Sequence, residues 1–405
     1  MKLSLNRDFD VFWVGQSFST LGDAFAFVAL PLLVLEATGS VRQMGLLTAT
    51  FGAGQIAAGV FSGAIVDAVD RRRLMLACDL VRALLYASIP AAWASGHRSV
   101  PLLFVVTALG SMTGNLFSVA YVAATANLVQ PTELAAANSR LQVTQALGYV
   151  VGPTLAGIVA AKLGPSAAIG VDAASFAVSC ASLVAVRLRI TEAVRERANI
   201  WKRLSAGAGF LLRQPTLRAV AAIFVLTSMV DAGVLDLFIY LVKHDLGRSD
   251  AVVGALLGVG AIGAAVGAAA TPWALRRFGF GACLLGGTAF EALAMLAIGM
   301  FASLALVGAA AVVFLAATTV RSISSISLRQ RITPDHLLGR VTAAFWTAVA
   351  CMMPLGAALT TSAAASLGSR RVVATCGALI AVVAVLGALT PARQSHPEPA
   401  DPQAR

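Results

Sequence analysis

Twelve runs of predominantly apolar residues follow one another between positions 11 and 390, each long enough to cross a bilayer core of about 30 Å as a helix of about 20 residues. Nothing else constrains the chain as much, because backbone polar groups in hydrocarbon are satisfied only within a helix or a closed barrel. A barrel is excluded, since the runs are continuous and do not alternate polar with apolar positions. Composition agrees: 58% of the residues are hydrophobic and 12% charged, against roughly 25% charged in soluble domains. The expected fold is an all-α integral membrane protein of twelve spans, rich in the Gly and Ala that let helices approach closely where lipid supplies no hydrophobic drive.

Lys and Arg set the orientation, because positively charged loops stay in the cytoplasm. With the N-terminus inside, 21 of the 30 Lys and Arg fall in cytoplasmic segments and seven outside, while Arg82 and Arg321 lie in or at the ends of spans. Both termini are therefore expected in the cytoplasm. The first span is too long and lacks a small-residue cleavage site, so it reads as a retained anchor helix. The net charge of +11 is accounted for by this loop bias and gives no reason to expect nucleic acid as a partner.

Enzyme chemistry finds no footing in the sequence. The five cysteines, Cys78, Cys180, Cys283, Cys351 and Cys376, lie in apolar spans at unrelated spacings. His97, His244, His336 and His396 fall in loops or the tail, which removes the usual ligands of a buried metal and the usual catalytic base. A phosphate-binding loop of the G-x-x-x-x-G-K type does not occur. Neither a cofactor, a metal nor a catalytic set is expected.

The spans form a duplication. Asp23 overlies Asp231 at a shift of 208, Gly59 and Gly63 overlie Gly263 and Gly267 at 204, and Pro131 overlies Pro334 at 203. Parallel halves of six helices, related by an axis along the membrane normal, form a substrate site at the midplane. The expected organisation is an N-terminal half over 1–186 and a cytoplasmic linker over 187–218 with a short amphipathic helix. A C-terminal half over 219–390 and a disordered polar tail over 391–405 complete it.

Two local patterns narrow the class. GAIVDAVDRRR, between spans 2 and 3, resembles the Gly-x-x-x-Asp-x-x-Gly-Arg-Arg signature of the major facilitator superfamily, with Gly63, Asp67, Arg71 and Arg72 in place. Ala68 stands where the family has Arg, and Asp70 where it has Gly. The resemblance implies that these residues form a cytoplasmic gate of ion pairs that break when the inside opens, and Asp79 and Arg82, near the cytoplasmic end of span 3, are expected to pair with each other or with that gate. In span 5, GYVVGPTLAG resembles the pattern of the superfamily's exporters through Gly148, Gly152, Pro153 and Gly157, residues that thin and bend a helix without holding a ligand. The opening stretch, the Thr-Gly-Ser turn at 38–40 and LLGRVTAAFW at 337–346 resemble the branch that holds macrolide-efflux proteins and the enterobactin exporter. The intramembrane Arg that many drug antiporters carry in span 4 aligns with Gly110. The resemblance implies a monomer in the bacterial inner membrane, in contact with lipid, that exchanges protons for a small amphiphilic substrate.

The buried acids carry the coupling hypothesis. A carboxylate at membrane depth costs about 2.5 to 3.5 kcal/mol even on mild insertion scales, so Asp23 and Asp231 at equivalent places need a reason. Asp23 is read as a proton carrier, or as the partner of a cationic substrate or of a buried Arg such as Arg321, with a purely structural role left open. Asp231 shares its reading with Asp236, five residues on. Glu291 in span 9 is either a packing acid or a transport residue. Asp172 is expected near the outer interface in a structural role, and Asp79 with Arg82 as an i, i+3 pair. Candidate cavity residues are Asn115, Gln142, Gln145, Asp236 and Arg321, and the interleaved aromatics suit a bulky amphiphile better than a sugar. A dedicated siderophore exporter, and a non-transporting sensor or assembly protein that kept the fold, are the alternatives.

Overall fold

A computed structural model describes residues 6–130, 133–186, 200–301 and 303–395. Every regular element among them is helical: α1 (Arg7–Thr38), α2 (Val41–Ala68), α3 (Arg71–Ala94), α4 (Val100–Leu128), α5 (Leu134–Leu163), α6 (Pro165–Ala185), α7 (Ile200–Arg213), α8 (Pro215–Asp231), α9 (Val234–Tyr240), α10 (Asp250–Met300), α11 (Leu304–Ile332), α12 (Asp335–Leu367) and α13 (Ser369–Ala388). Nine helices among the described residues are long and apolar enough to cross a membrane. The 51-residue α10 holds two of the expected spans, joined at Gly279 with φ 81°. Counting its arms separately, taking α8 and α9 as one broken span, and adding α2 and α5, each of the twelve expected spans has its helix.

Local sequence explains the boundaries. Asn6 caps α1 by accepting from the Phe9 N–H at 2.8 Å, and its amide donates to the Leu128 carbonyl, which ties the start of α1 to the end of α4. Asp70, which replaces the family's glycine, caps α3 by accepting from the Arg73 N–H at 2.8 Å. Gly39 (φ 64°) ends α1 and Gly247 (φ 62°) precedes α10, while Gly164 (φ 87°) joins α5 to α6 and Gly368 (φ 88°) joins α12 to α13. Only glycine adopts such angles without strain. The offsets within these pairs are 208 and 204, the same shifts that relate the sequence repeats.

The chain divides into two compact units, Met1–Arg195 with Gly247–Gly258, and Glu196–Leu246 with Val259–Arg405. In the first, α1 and α6 meet along a seam of small residues. A Cβ at Gly15 would lie 2.0 Å from Ser182 Oγ and one at Gly22 2.1 Å from Ser175 Oγ, while the Gln16 amide donates to Ser179 at 2.8 Å. The two glycine contacts, seven residues apart on each helix, with the Gln16–Ser179 bond between them, draw the backbones together and set the height of everything α1 carries. The exporter-type pattern of α5 has a similar use. Gly152 packs on Ala24 of α1, and Gly157 meets Gly254, where an added Cβ would lie 2.6 Å from the Gly254 Cα.

In the second unit α7 forms within the expected linker. Its Gly207 rests against the Arg340 carbonyl of α12, and Leu211 joins a core with Leu217, Phe224, Leu328, Val341 and Phe345. One boundary differs from expectation. The polar tail was expected to be disordered from 391, yet Pro391–Arg393 forms a 3-10 turn, and the Phe280 and Gly281 N–H groups donate to the Ser395 and Gln394 carbonyls. The open backbone groups beside Gly279 recruit these residues, an attraction that a polar composition does not reveal. Residues 396–405 and the linker stretch 187–199 lie outside the described residues.

A Cβ at Gly356 of α12 would come within 1.8 Å of the Met229 carbonyl, whereas one at Gly59 would meet nothing within 4 Å. Gly356→Ala is expected to destabilise the protein by about 1 to 3 kcal/mol, and Gly59→Ala to leave it near wild type. Thermal unfolding in detergent, followed by tryptophan fluorescence, checks the pair.

Candidate functional site

Each unit buries an arginine among carboxyl groups at membrane depth. In the first, Arg82 on α3 is 8% exposed and forms an ion pair with Asp23 of α1. Asp79, one turn earlier on α3 and fully buried, lies 4.0 Å from the guanidinium. Arg82 Cζ sits 3.8 Å from the centroid of the Phe176 ring on α6, and Tyr86 packs edge-on against the same ring. Asp172, also on α6 and 0% exposed, completes the group: its Oδ1 faces Gly22 and accepts from Ser175 at 3.3 Å. Asp23 and Asp79 therefore flank the guanidinium, and Asp172 adds a third carboxyl to its electrostatic field.

The second unit builds the same chemistry from different helices. Arg321 on α11, 6% exposed, donates to Asp231 at 3.1 Å and to the Thr227 hydroxyl, both on α8. Its Nε lies 3.1 Å from Glu291 Oε2 on α10, an ion pair without hydrogen-bond alignment, and Glu291 is fully buried. The guanidinium lies 4.8 Å from the centroid of Phe224. Asp231 is the last residue of α8, at the break before α9. Discontinuous helices of this kind mark ligand and ion sites in transporters, because they free backbone groups at mid-membrane.

The arginines are not equivalent by repeat. Arg82 is carried by span 3, and at offsets in the range that relates the halves its counterpart in span 9 is Gly287. Arg321 is carried by span 10, whose counterpart in span 4 is Gly114. Both glycines give room: a Cβ at Gly114 would lie 3.9 Å from the Arg82 Cζ, and one at Gly287 would lie 3.1 Å from the Arg321 Cβ. Gly110, where drug antiporters carry their arginine, is packed by the Tyr86 ring, 2.7 Å from an added Cβ. The first unit thus supplies its cation from the neighbouring helix.

Several expectations change at this level. Asp23 pairs with Arg82 and not with Arg321, whose partners are Asp231 and Glu291. Asp172 does not sit at an interface: it lies eight residues into α6, inside the Arg82 cluster. The spacing of Asp172, Ser175, Ser179 and Ser182 along one face of α6 is the signal that identifies it. Asn115 binds α2, donating to Gln55 Oε1 at 2.9 Å and accepting from Ser62 at 2.6 Å, so its amide is engaged in helix pairing. Asp236 is 1% exposed on α9, and Gln145 is exposed on α5. Arg72 donates to the Leu183 carbonyl at 2.8 Å and to that of Val184, closing the C-terminus of α6, while Arg71 is half-buried at the start of α3. Gly63, Asp67 and Gln142 lie on α2 and α5, but their side chains lie outside the described residues. Among the described residues no group of His, Cys, Asp and Glu is arranged to hold a metal ion.

Helical units of this kind, apolar along their length and with ion pairs buried between the helices, are those of a multi-pass membrane transporter. The chain belongs to the Major Facilitator Superfamily, whose sequence profile matches residues 12–357. It is 28% identical over 386 residues to the enterobactin exporter EntS of Salmonella choleraesuis strain SC-B67, covering 91% of this chain and 90% of that protein. It is also 28% identical over 215 residues to the multidrug efflux pump Tap of Mycolicibacterium fortuitum, covering 50% of this chain and 51% of the pump. In fold it is similar to the nucleoside transporter NupG (TM-score 0.73, 12% identity, 95% of this chain and 99% of that one). A bacterial homologue of the human lysosomal transporter Spinster is a further match (TM-score 0.75, 13% identity, 94% and 96%).

Removing one partner of a buried ion pair costs about 3 to 5 kcal/mol, chiefly because the other charge is left behind. Arg321→Met is expected to lower stability by an amount of that order, and Glu291→Gln added to it to recover part of the loss. A double-mutant cycle on the thermal midpoint tests the coupling.

Proposed function

We propose that this chain is a proton-coupled exporter that carries a drug-like or secondary-metabolite amphiphile out of the bacterial cytoplasm by alternating access. The observation that carries the reading is the charge count: Arg82 faces Asp23, Asp79 and Asp172, and Arg321 faces Asp231 and Glu291. One guanidinium balances one carboxylate, and a second ionised carboxylate beside it in a low-dielectric interior is strongly disfavoured. The surplus carboxyls are places for a proton. Protonating Asp23 or Asp231 neutralises the partner of a buried arginine, which changes what holds α1 to α3 or α8 to α11. A proton taken up from outside and given up inside would then drive the exchange. Likeness to EntS and Tap, both named as export proteins, supports the outward direction.

In this reading Gly63, Asp67, Arg71 and Arg72 form the cytoplasmic gate, with Arg72 drawing on the last carbonyls of α6. Gly148, Gly152, Pro153 and Gly157 shape α5 for close approach to its neighbours. The protein acts as a monomer in the inner membrane with both termini in the cytoplasm. Export of one siderophore or metabolite is the second reading, favoured by the coverage of EntS and by Arg82, a buried arginine in addition to Arg321.

The test is accumulation of fluorescent amphiphiles and macrolides in an efflux-deficient bacterium expressing the chain. Wild type is expected to lower accumulation, and Asp23→Asn or an uncoupler to abolish the effect. Full export by Asp23→Asn would remove Asp23 from the coupling. A well-inserted wild type that changes nothing across the panel would leave the dedicated exporter as the account.

A further inference from the structure

Below Arg321, α11 carries a second buried arginine that the transport reading does not use. Arg329 is 2% exposed, yet neither its Nε nor its Nη1 has a hydrogen-bond partner, and among the described residues no carboxylate forms an ion pair with it. Its guanidinium lies 3.8 Å from the centroid of the Phe345 ring and 5.5 Å from that of Trp346, both on α12. Stacking on aromatic faces returns only part of the cost of taking a cation out of water. Among the described residues counter-charge is missing.

The helix around it repeats the same deficit. Ser325 and Thr333 stand one turn to either side, at four-residue steps that place them on the face of Arg329. They are 1% and 4% exposed, and both hydroxyls lack partners, as does that of Ser324. Elsewhere on α11 the Thr318 and Thr319 hydroxyls donate to the Leu315 carbonyl, so the helix offers such bonds where nothing else claims the side chain. Buried polar atoms in native proteins are nearly always paired with protein, water or ligand. Here a guanidinium edge and hydroxyls one turn to either side along the chain, all able to donate, are buried without partners, and Trp346, 43% exposed, lies beside the guanidinium as an accessible aromatic platform. Donors without acceptors, beside an apolar shelf, fit an amphiphile that brings an oxyanion.

We propose that Arg329, with the Ser325 and Thr333 hydroxyls, binds the carboxylate or phosphate group of an amphiphile whose apolar part rests on Trp346. The group comes from a transported solute, a source that rests on the export reading, or from an anionic phospholipid, which does not.

The full chain, purified into nanodiscs of neutral phosphatidylcholine, is titrated with salicylate, and separately compared with nanodiscs containing phosphatidylglycerol. Thermal midpoint and tryptophan fluorescence are read. Either anion is expected to raise the midpoint of wild type, with salicylate alone pointing to a solute and phosphatidylglycerol alone to lipid. Arg329→Gln should weaken the response about tenfold or more, as expected for a lost charge-assisted bond. Arg329→Lys keeps the charge and so the fold, and should bind more weakly than wild type because it lacks the fork. The chain has five tryptophans, so Trp346→Phe should keep the stabilisation while losing the ligand-dependent fluorescence change. The site is overturned if neither anion shifts wild type, or if Arg329→Gln responds as wild type does. Transport is not measured, so a failed export assay leaves these outcomes intact.

Discussion

A buried guanidinium that must find anions within its own unit organises the membrane interior of this protein. Arg82 and Arg321 cannot be left bare in a low-dielectric interior, and each recruits acids from more than one helix: Asp23 and Asp172 across to α3, Asp231 and Glu291 across to α11. Each also lies over an aromatic ring, Phe176 or Phe224, that shields it from lipid. The helices that carry these groups are therefore held by charge at mid-depth and by small-residue contacts elsewhere, as along the Gly15–Ser182 and Gly22–Ser175 seam. Packing brings the backbones close, and the charges fix which heights coincide.

The two units reach this arrangement by different routes. Within a duplicated frame marked by left-handed glycines at matching offsets, the first unit puts its arginine on span 3 and the second on span 10. Gly114 and Gly287 occupy the complementary places, where a side chain would crowd the arginine of the adjacent helix. The same chemistry is carried by different helices in the two units, so aligning one half on the other does not reveal it. What the halves share is a buried guanidinium paired with acids from neighbouring helices.

Sequence alone made the helices legible, because about 20 apolar residues in a row admit few alternatives, and the offsets of Asp23 with Asp231 exposed the repeat. The Gly and Pro pattern of α5 and the Asp67-Arg71-Arg72 signature carried the family. Partners were less legible. Asp23 and Arg82 lie 59 residues apart, and Asp231 and Arg321 lie 90, separations at which only the packed helices decide who meets whom. The place of Asp172 beside Arg82 shows only once α6 packs against α1 and α3, and an amide such as that of Asn115 shows nothing in the sequence of its partners on α2. Asp70 looked like a lost gate glycine, while its use is to cap α3.

The break in span 7 makes the two arginines respond differently to the same event. Arg321 is bonded to Thr227 and Asp231 in the final turn of α8, which two residues separate from α9. Arg82 faces the middle of α1, which runs unbroken from Arg7 to Thr38 and presents no such end. Neutralising Asp231 leaves Arg321 beside Glu291 and the Thr227 hydroxyl, at the turn where span 7 is broken. Neutralising Asp23 leaves Arg82 with Asp79 and Asp172, against a helix without a break. A proton on Asp231 therefore bears on a joint, and one on Asp23 on a rod.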